Sequence, residues 1–252
     1  MPWRNGPQTR APGGDAEHER LPRAIAARLR RAGRLADAPP VTSAFGALDR
    51  AAHVPVRTAP ERWSRDVFEL IEWRRFEAVV EALFAQAGFE TRSQTHGADG
   101  GVDIWLYSLH HAAGDAPVSI VQCKQWMRSK ITVKEVRELR GVMAQHGIAR
   151  GQFVTTSDFT ADAREFAGDN GIGLHDVDDL LRLIATRTPE QQQALLHVAF
   201  DGEWWRPTCA SCGIKLVERT ARQSGRLFWG CANFARGCKT QLPMRHEPRG
   251  AS

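Results

Sequence analysis

The sequence predicts an α/β fold, a mixed sheet flanked by helices, followed by a small C-terminal module held by a metal ion. Three observations carry this prediction. Apolar residues from about 73 to 200 recur at helical and at strand spacing in the order α-β-β-β-α-β-α-β-α. Two segments on neighbouring predicted strands, Asp99-Gly100-Gly101-Val102-Asp103 and Val121-Gln122-Cys123-Lys124, place polar groups at one sheet edge. Four of the five cysteines, Cys209, Cys212, Cys231 and Cys238, cluster near the C-terminus of the 252-residue chain.

Residues 1–20, rich in Pro, Gly and polar groups, are predicted to be disordered. Residues 22–36 suggest a basic helix, suited either to DNA contact or to a solvated tail. Pro39, Pro40, Pro55 and Pro60 keep the next stretch loop-like, so 1–60 is expected to be a basic, partly disordered region. A globular domain is expected over 61–200. Trp73, Phe76, Val80, Leu83 and Ala87 fall at helical spacing, and Gly88 ends that helix. Strands are predicted over 89–95, 101–107 and 118–124, with a turn at 110–117. A helix over 131–146 carries Val133, Val136, Leu139 and Met143, with Gly147 as its stop. A strand at 152–156, a helix at 159–167, a strand at 172–175 and a helix at 177–184 follow. Thr188 as cap and Pro189 in the first turn open a last helix toward Phe200.

Hydrophobic residues make up 42% and charged residues 25%, the range of a soluble globular protein. No apolar run approaches the ~20 residues of a membrane span. The N-terminus lacks an apolar leader, so a cytoplasmic location without a membrane partner is expected. The net charge of +5 divides into +5 over 1–60, −5 over 61–190 and +5 over 191–252. A phosphate backbone would be held mainly by the basic flanks, although ordinary solvated surface gives the same pattern. Of 34 basic residues 29 are Arg, a bias that a GC-rich genome produces by itself.

Side chains alternate along a strand, so Ile120, Gln122 and Lys124 share one face while Val121 and Cys123 share the other. On the preceding strand Val102, Ile104 and Leu106 are expected on one face and Asp103 on the opposite one. If the two strands form a hairpin, Asp103 comes within reach of Gln122 and Lys124. One carboxylate, one amide and one ammonium are the minimum kit for phosphodiester hydrolysis. Asp103 would be the anionic ligand of Mg²⁺, a hard cation that takes oxygen ligands and keeps several waters. Lys124 would stabilise an attacking hydroxide or the charge developing on phosphorus. Gln122 would offer its amide oxygen to the metal shell or orient the water. Glu77 lies on the flank of an apolar helical stripe, where its residue type alone favours solvation. Cys123 faces the core and is expected to pack there. Asp99 is expected to cap a turn.

At these residues the stretch from about Trp73 to Leu181 resembles the Mrr-type restriction endonuclease catalytic domain, a branch of the PD-(D/E)xK nucleases. The matching motifs are Phe76-Glu77, Asp99 to Asp103, Gln122-Cys123-Lys124, Val154-Thr155-Thr156-Ser157 and Phe159 to Ala163, in family order over more than 100 residues. The resemblance implies a PD-(D/E)xK nuclease-like sheet and Mg²⁺-dependent DNA cleavage, with Asp103, Gln122 and Lys124 as the active triad. It also raises Glu77 to a fourth candidate.

Cys209-Ala-Ser-Cys212 is a two-residue knuckle, and Cys231 and Cys238 follow with six residues between them. Four thiolates make a closed tetrahedral Zn²⁺ site, structural rather than catalytic. Residues 207–243 are similar to the C4 zinc ribbons at the C-terminus of bacterial type I topoisomerases. They depart in Ala210, where Pro is usual, and in a second pair one residue wider, with Gly237 as the extra residue. The resemblance implies DNA binding through Arg219, Arg222 and Arg226 and by stacking on Phe228, Trp229 or Phe234. A protein-docking ribbon whose aromatics form its own core is the alternative. A whole topoisomerase is excluded by chain size and by the single tyrosine, Tyr107, on a core strand.

The expected function is therefore restriction-type DNA endonuclease, modification-dependent or not, with the ribbon aiding DNA binding. A repair or recombination nuclease, a catalytically inactive DNA-binding protein and a protein-interaction adaptor are the rivals. One active site cuts one strand, so duplex cleavage calls for a homodimer or two sequential events.

Overall fold

The computed structural model describes residues 58–93, 102–112, 114–126 and 129–244. The helix expected at 22–36 and the Asp99-Gly100-Gly101 turn lie outside the described residues. The described residues belong to one compact unit.

The chain enters through α1 (Arg65–Leu70) and α2 (Trp73–Gln86). It continues into β1 (Phe89–Ser93), β2 (Ile104–Ser108) and β3 (Ser119–Lys124). Helix α3 (Val133–Gln145) leads to β4 (Gly151–Thr155), and α4 (Ala161–Asp169) to β5 (Ile172–His175). Helices α5 (Val177–Ala185) and α6 (Pro189–Ala199) close the domain. The predicted order of elements holds throughout. Helix α1 is the addition: six residues are too few for a helical period to stand out, although Val67 and Phe68 are buried.

The helix starts follow the local chemistry. Thr132 and Glu135 form a reciprocal capping box at α3, and Thr188 and Gln191 do the same at α6 with Pro189 in the first turn. The five strands lie in sequence order, antiparallel from β1 to β3 and parallel from β3 to β5. The parallel steps are made by the α3 and α4 crossovers.

Two cores cover the two faces of the sheet. On one, Ile104, Leu106, Val121 and Val154 pack with Phe68, Phe76, Val80, Leu180 and Leu195 from α1, α2, α5 and α6. On the other, Ile120 and Phe153 pack with Val136, Leu139, Met143 and Ala163 from α3 and α4. Each large side chain fully buried in these layers is worth ~1.5–3 kcal/mol. One facing expectation is corrected. Val102 packs in the second core with Ile120, whereas Ile104 and Leu106 lie in the first. The strand begins only at Ile104 and the chain bends at Asp103, so strict alternation does not extend back to Val102.

The C-terminal part forms a separate three-stranded antiparallel sheet, β6 (Val217–Thr220), β7 (Leu227–Gly230) and β8 (Gln241–Pro243), with β7 in the middle. A short 3₁₀ turn, Ala232–Arg236, follows Cys231 and ends on Gly237 at φ 99°, a left-handed position that favours glycine.

Candidate active site

The bend at Asp103 sets the centre of the site. Its backbone N–H donates to Val121 O at 3.0 Å, while its carboxylate Oδ2 accepts the Cys123 N–H at 2.6 Å. A side chain thus serves as acceptor at the end of the β2–β3 ladder and fixes the carboxylate beside β3. Burial pushes the Asp103 carboxyl up to about 6, against the lowering effects of the Cys123 N–H, Lys124 and Arg74.

Glu77, on the second turn of α2, faces the same place. Its side chain is 18% exposed and pairs with Arg74 at 3.5 Å. Burial raises its pKa to about 8, reinforced by the negative charge of Asp103 and opposed by Arg74. The solvated position that its residue type alone suggested is therefore corrected: the helix turns Glu77 inward, where the charge of Asp103 adds to the effect of burial. Cys123 packs against the first core, and burial holds its thiol well above the usual range.

Gln122 and Lys124 lie on β3 opposite Phe153 and Thr155 of β4. Both are half-buried. The Lys124 ammonium sits 5.2 Å over the Trp126 ring. Three donors converge on the Lys124 carbonyl: Thr155 Oγ1 at 2.7 Å, Trp126 N at 3.1 Å and Thr156 N at 3.2 Å. Thr156 Oγ1 also donates to Trp126 O at 2.9 Å. The Thr-Thr pair at the end of β4 therefore clamps the end of β3.

Sequence reasoning missed three contributors. Arg74 sits three residues before Glu77, a spacing that places both on one helix face and could have been read. Gln125 reaches across to donate to Phe68 O at 3.0 Å and Ile71 O at 2.7 Å, fixing the α1–α2 corner to the end of β3. Trp126 supplies the ring beneath Lys124. Neither Gln125 nor Trp126 carried a local spacing signal.

The four C-terminal cysteines meet as a second centre. Their sulfurs all lie within 4.8 Å of one another, and Cys209 Sγ is 3.6 Å from Cys238 Sγ. Tetrahedral zinc with ~2.3 Å bonds to sulfur separates thiolates by about 3.8 Å, so the donor set and spacing fit that ion. Among the described residues the buried hydrophobic cluster of this module is Cys209, Leu216 and Cys231, with Cys212, Trp229 and Cys238 packed against it. Trp229 is thus half-buried on the cysteine cluster, while Arg219, Arg222, Arg226 and Phe234 are exposed. Arg222 and Arg226 line a shallow concavity with Phe228, Leu227 and Gln241. Among the described residues no helix is long and apolar enough to cross a membrane.

A comparison with curated proteins finds no match. Among solved structures, the chain is similar to the DNA modification-dependent restriction endonuclease AspBHI, at 23% identity and a TM-score of 0.41, over 73% of this chain and 49% of that one. It is similar to the MspJI restriction endonuclease in complex with a 27-mer oligonucleotide, at 21% identity and a TM-score of 0.37, over 51% of this chain and 32% of that one. It is also similar to AF1548, a protein of unknown function, at 18% identity and a TM-score of 0.35, over 43% of this chain and 64% of that one. The chain thus spans less than two thirds of the length of each of these structures. Residues 68–184 match the Mrr_cat family model, described as a restriction endonuclease. The match covers just under half of the 252-residue chain.

Proposed function

We propose that this chain is a divalent-metal-dependent DNA endonuclease of restriction type. The observation that carries the proposal is the Asp103 carboxylate held on the Cys123 N–H at 2.6 Å, beside the end of the strand that bears Lys124, with the largely buried Glu77 raised in pKa by that burial and by the Asp103 charge. Neighbouring buried acids with raised pKa values favour a bound cation. Asp103 and Glu77 would hold Mg²⁺, with the Gln122 amide oxygen as a further neutral donor. The chemistry supplied by a cation at these residues would be polarisation of the scissile phosphate and a lowered pKa for a bound water. Lys124 supplies positive charge where negative charge develops on the phosphoryl oxygens. Its cation–π contact with Trp126 and the clamped carbonyl keep that charge in place. Neutral Gln122, where a second carboxylate often sits, makes the donor set less anionic and its metal affinity correspondingly weaker.

The zinc ribbon extends the grip. Arg219, Arg222 and Arg226 are assigned to phosphate contacts, and Phe234, with Lys239 Nζ 3.8 Å over its ring, to an exposed stacking surface. Trp229 is assigned mainly to the ribbon's own core. Foreign DNA is the assigned substrate, in the cytoplasm. Duplex cleavage would proceed through a homodimer or through two successive nicks.

The test uses purified full-length protein, supercoiled plasmid and Mg²⁺. Cleavage should require the cation. It should fall by about 10²-fold or more in Asp103→Ala and Lys124→Ala, the scale of losing one electrostatic contributor. Undiminished cleavage in both variants would sink the site assignment. Parallel digests of methylated and unmethylated plasmid read out modification dependence. Tight DNA binding with no cleavage under any cation would favour the non-catalytic binder.

A further inference from the structure

The zinc knuckle and the helix that carries Glu77 meet at one buried residue that no function yet assigned explains. Glu72 precedes α2 and is 4% exposed. Its carboxylate caps the helix, accepting the Arg74 N–H at 3.1 Å. The same carboxylate accepts Thr208 N at 3.2 Å, Thr208 Oγ1 at 3.1 Å and the Lys215 ammonium at 3.2 Å. Lys215 directs its other donors to Glu203 O at 3.1 Å and Arg206 O at 2.8 Å. Trp73, the first residue of α2, donates its indole N–H to Thr208 O at 2.8 Å.

Thr208 and Lys215 bracket the knuckle. They pair with each other across a bridge, and between them Cys209 N donates to Ile214 O at 2.8 Å and Gly213 N to Cys209 O at 2.8 Å. Two of the four thiols, Cys209 and Cys212, stand on the loop so closed. On the other side of Glu72, Arg74 stacks 4.8 Å over Trp73 and pairs with Glu77. A continuous set of contacts therefore runs from the knuckle through Thr208 and Lys215 to Glu72, and on through Arg74 to Glu77.

We infer that Glu72 is a positioning residue: it ties the knuckle of the ribbon to the first turn of α2, so that an ordered, metal-loaded ribbon sets the placement of Arg74 and Glu77. A surface tether would have used exposed groups. Here a carboxylate is withdrawn from water and spent on one junction, and a buried charge is tolerated only where its partners are fixed. The ribbon is thus more than a handle for DNA. It completes the support of the nuclease site. A displacement of the helix start by about 1 Å is enough to lower a rate 10²-fold, which gives the junction its leverage.

The inference rests on the proposed nuclease site, and two of its readouts work whether or not DNA is cut. Full-length protein carrying one zinc per chain is compared with Lys215→Gln, Thr208→Val and Glu72→Gln, and with Lys215→Arg as the conservative variant. Hydrogen exchange is followed at the amides of residues 74–78, and Mn²⁺ affinity is followed by electron paramagnetic resonance. Lys215→Gln and Thr208→Val should keep their zinc, speed exchange at 74–78 by about tenfold and weaken Mn²⁺ several-fold. In cleavage they should raise the Mg²⁺ concentration for half-maximal rate several-fold at nearly constant KM for DNA. Lys215→Arg should recover most of the loss. Arg222→Ala, on the outer face of the ribbon, should raise KM for DNA and leave the Mg²⁺ requirement alone. Unchanged exchange and unchanged Mn²⁺ affinity in the three junction variants would overturn the inference. Exchange sped uniformly across both cores would also overturn it, since Glu72 would then serve only folding. Absence of cleavage in every protein, wild type included, would refute the nuclease reading instead, with exchange and Mn²⁺ binding still deciding the junction.

Discussion

Asp103 and Glu77 each pay for their position with a charge that water no longer solvates. Both folded pKa values lie above the ordinary ones, 3.8 rising to about 6 for Asp103 and 4.5 to about 8 for Glu77. Without Mg²⁺ the folded chain therefore binds more protons than the unfolded chain through that range, and stability falls as pH rises. The contribution is complete below about pH 4 and is lost as pH climbs through 6 to 8. Glu77→Gln should flatten this slope and raise stability near pH 8 by on the order of 3 kcal/mol. Thermal unfolding from pH 5 to 8 without added Mg²⁺ checks this. A wild-type midpoint that does not fall across the range would contradict the paired-acid account. Mg²⁺ binding should release protons below pH 8, measurable by titration calorimetry in buffers of different ionisation enthalpy. At this scale the sequence named Asp103, Gln122, Lys124 and Glu77, because strand alternation and motif order are local. It left Glu77 undecided between solvent and site, because burial of a helix flank depends on what the rest of the chain packs against it.

The secondary elements were the most legible level. Helix α2 through to α6 follow from apolar spacing and caps, and the strands differ from expectation only at their ends. The short α1 and the bend before β2 escaped, since neither has a period long enough to read. What fixes the site at this scale is the set of contacts between strand ends and the helix corner. Gln125→Ala should cost about 1–3 kcal/mol, because the Phe68 and Ile71 carbonyls would lose a buried donor. Urea unfolding reads the stability, and cleavage should fall with it as the end of β3 loosens. Thr155→Val removes the 2.7 Å bond to the Lys124 carbonyl. It should lower kcat about tenfold with little change in KM, which single-turnover and steady-state kinetics separate.

For the whole molecule, the charge divides into an acidic middle and a basic end, and the proposed reading assigns the DNA grip to the basic end. Replacing both Arg222 and Arg226 by Ala should weaken DNA binding and reduce the slope of log affinity against log salt by about 2, one unit per lost phosphate contact. An unchanged slope would move the grip elsewhere. Zinc should be present at one per chain. Cys231→Ser should abolish it and unfold the ribbon, because among the described residues the buried hydrophobic cluster of that module is Leu216 with two of the thiols. Metal analysis and far-ultraviolet circular dichroism follow these two losses.

The sequence by itself determined the fold class, the order of elements, the four-cysteine module and the family motifs, because periodicity, caps and ligand spacing are properties of short stretches. Only the tertiary structure decided that Glu77 turns inward, that Trp126 and the Thr155-Thr156 pair hold Lys124, and that Glu72 joins two modules 136 residues apart in sequence. Those outcomes rest on desolvation and on hydrogen bonds between distant segments. Such contacts leave no period in the chain, because which groups lose water is settled only when the packed elements meet.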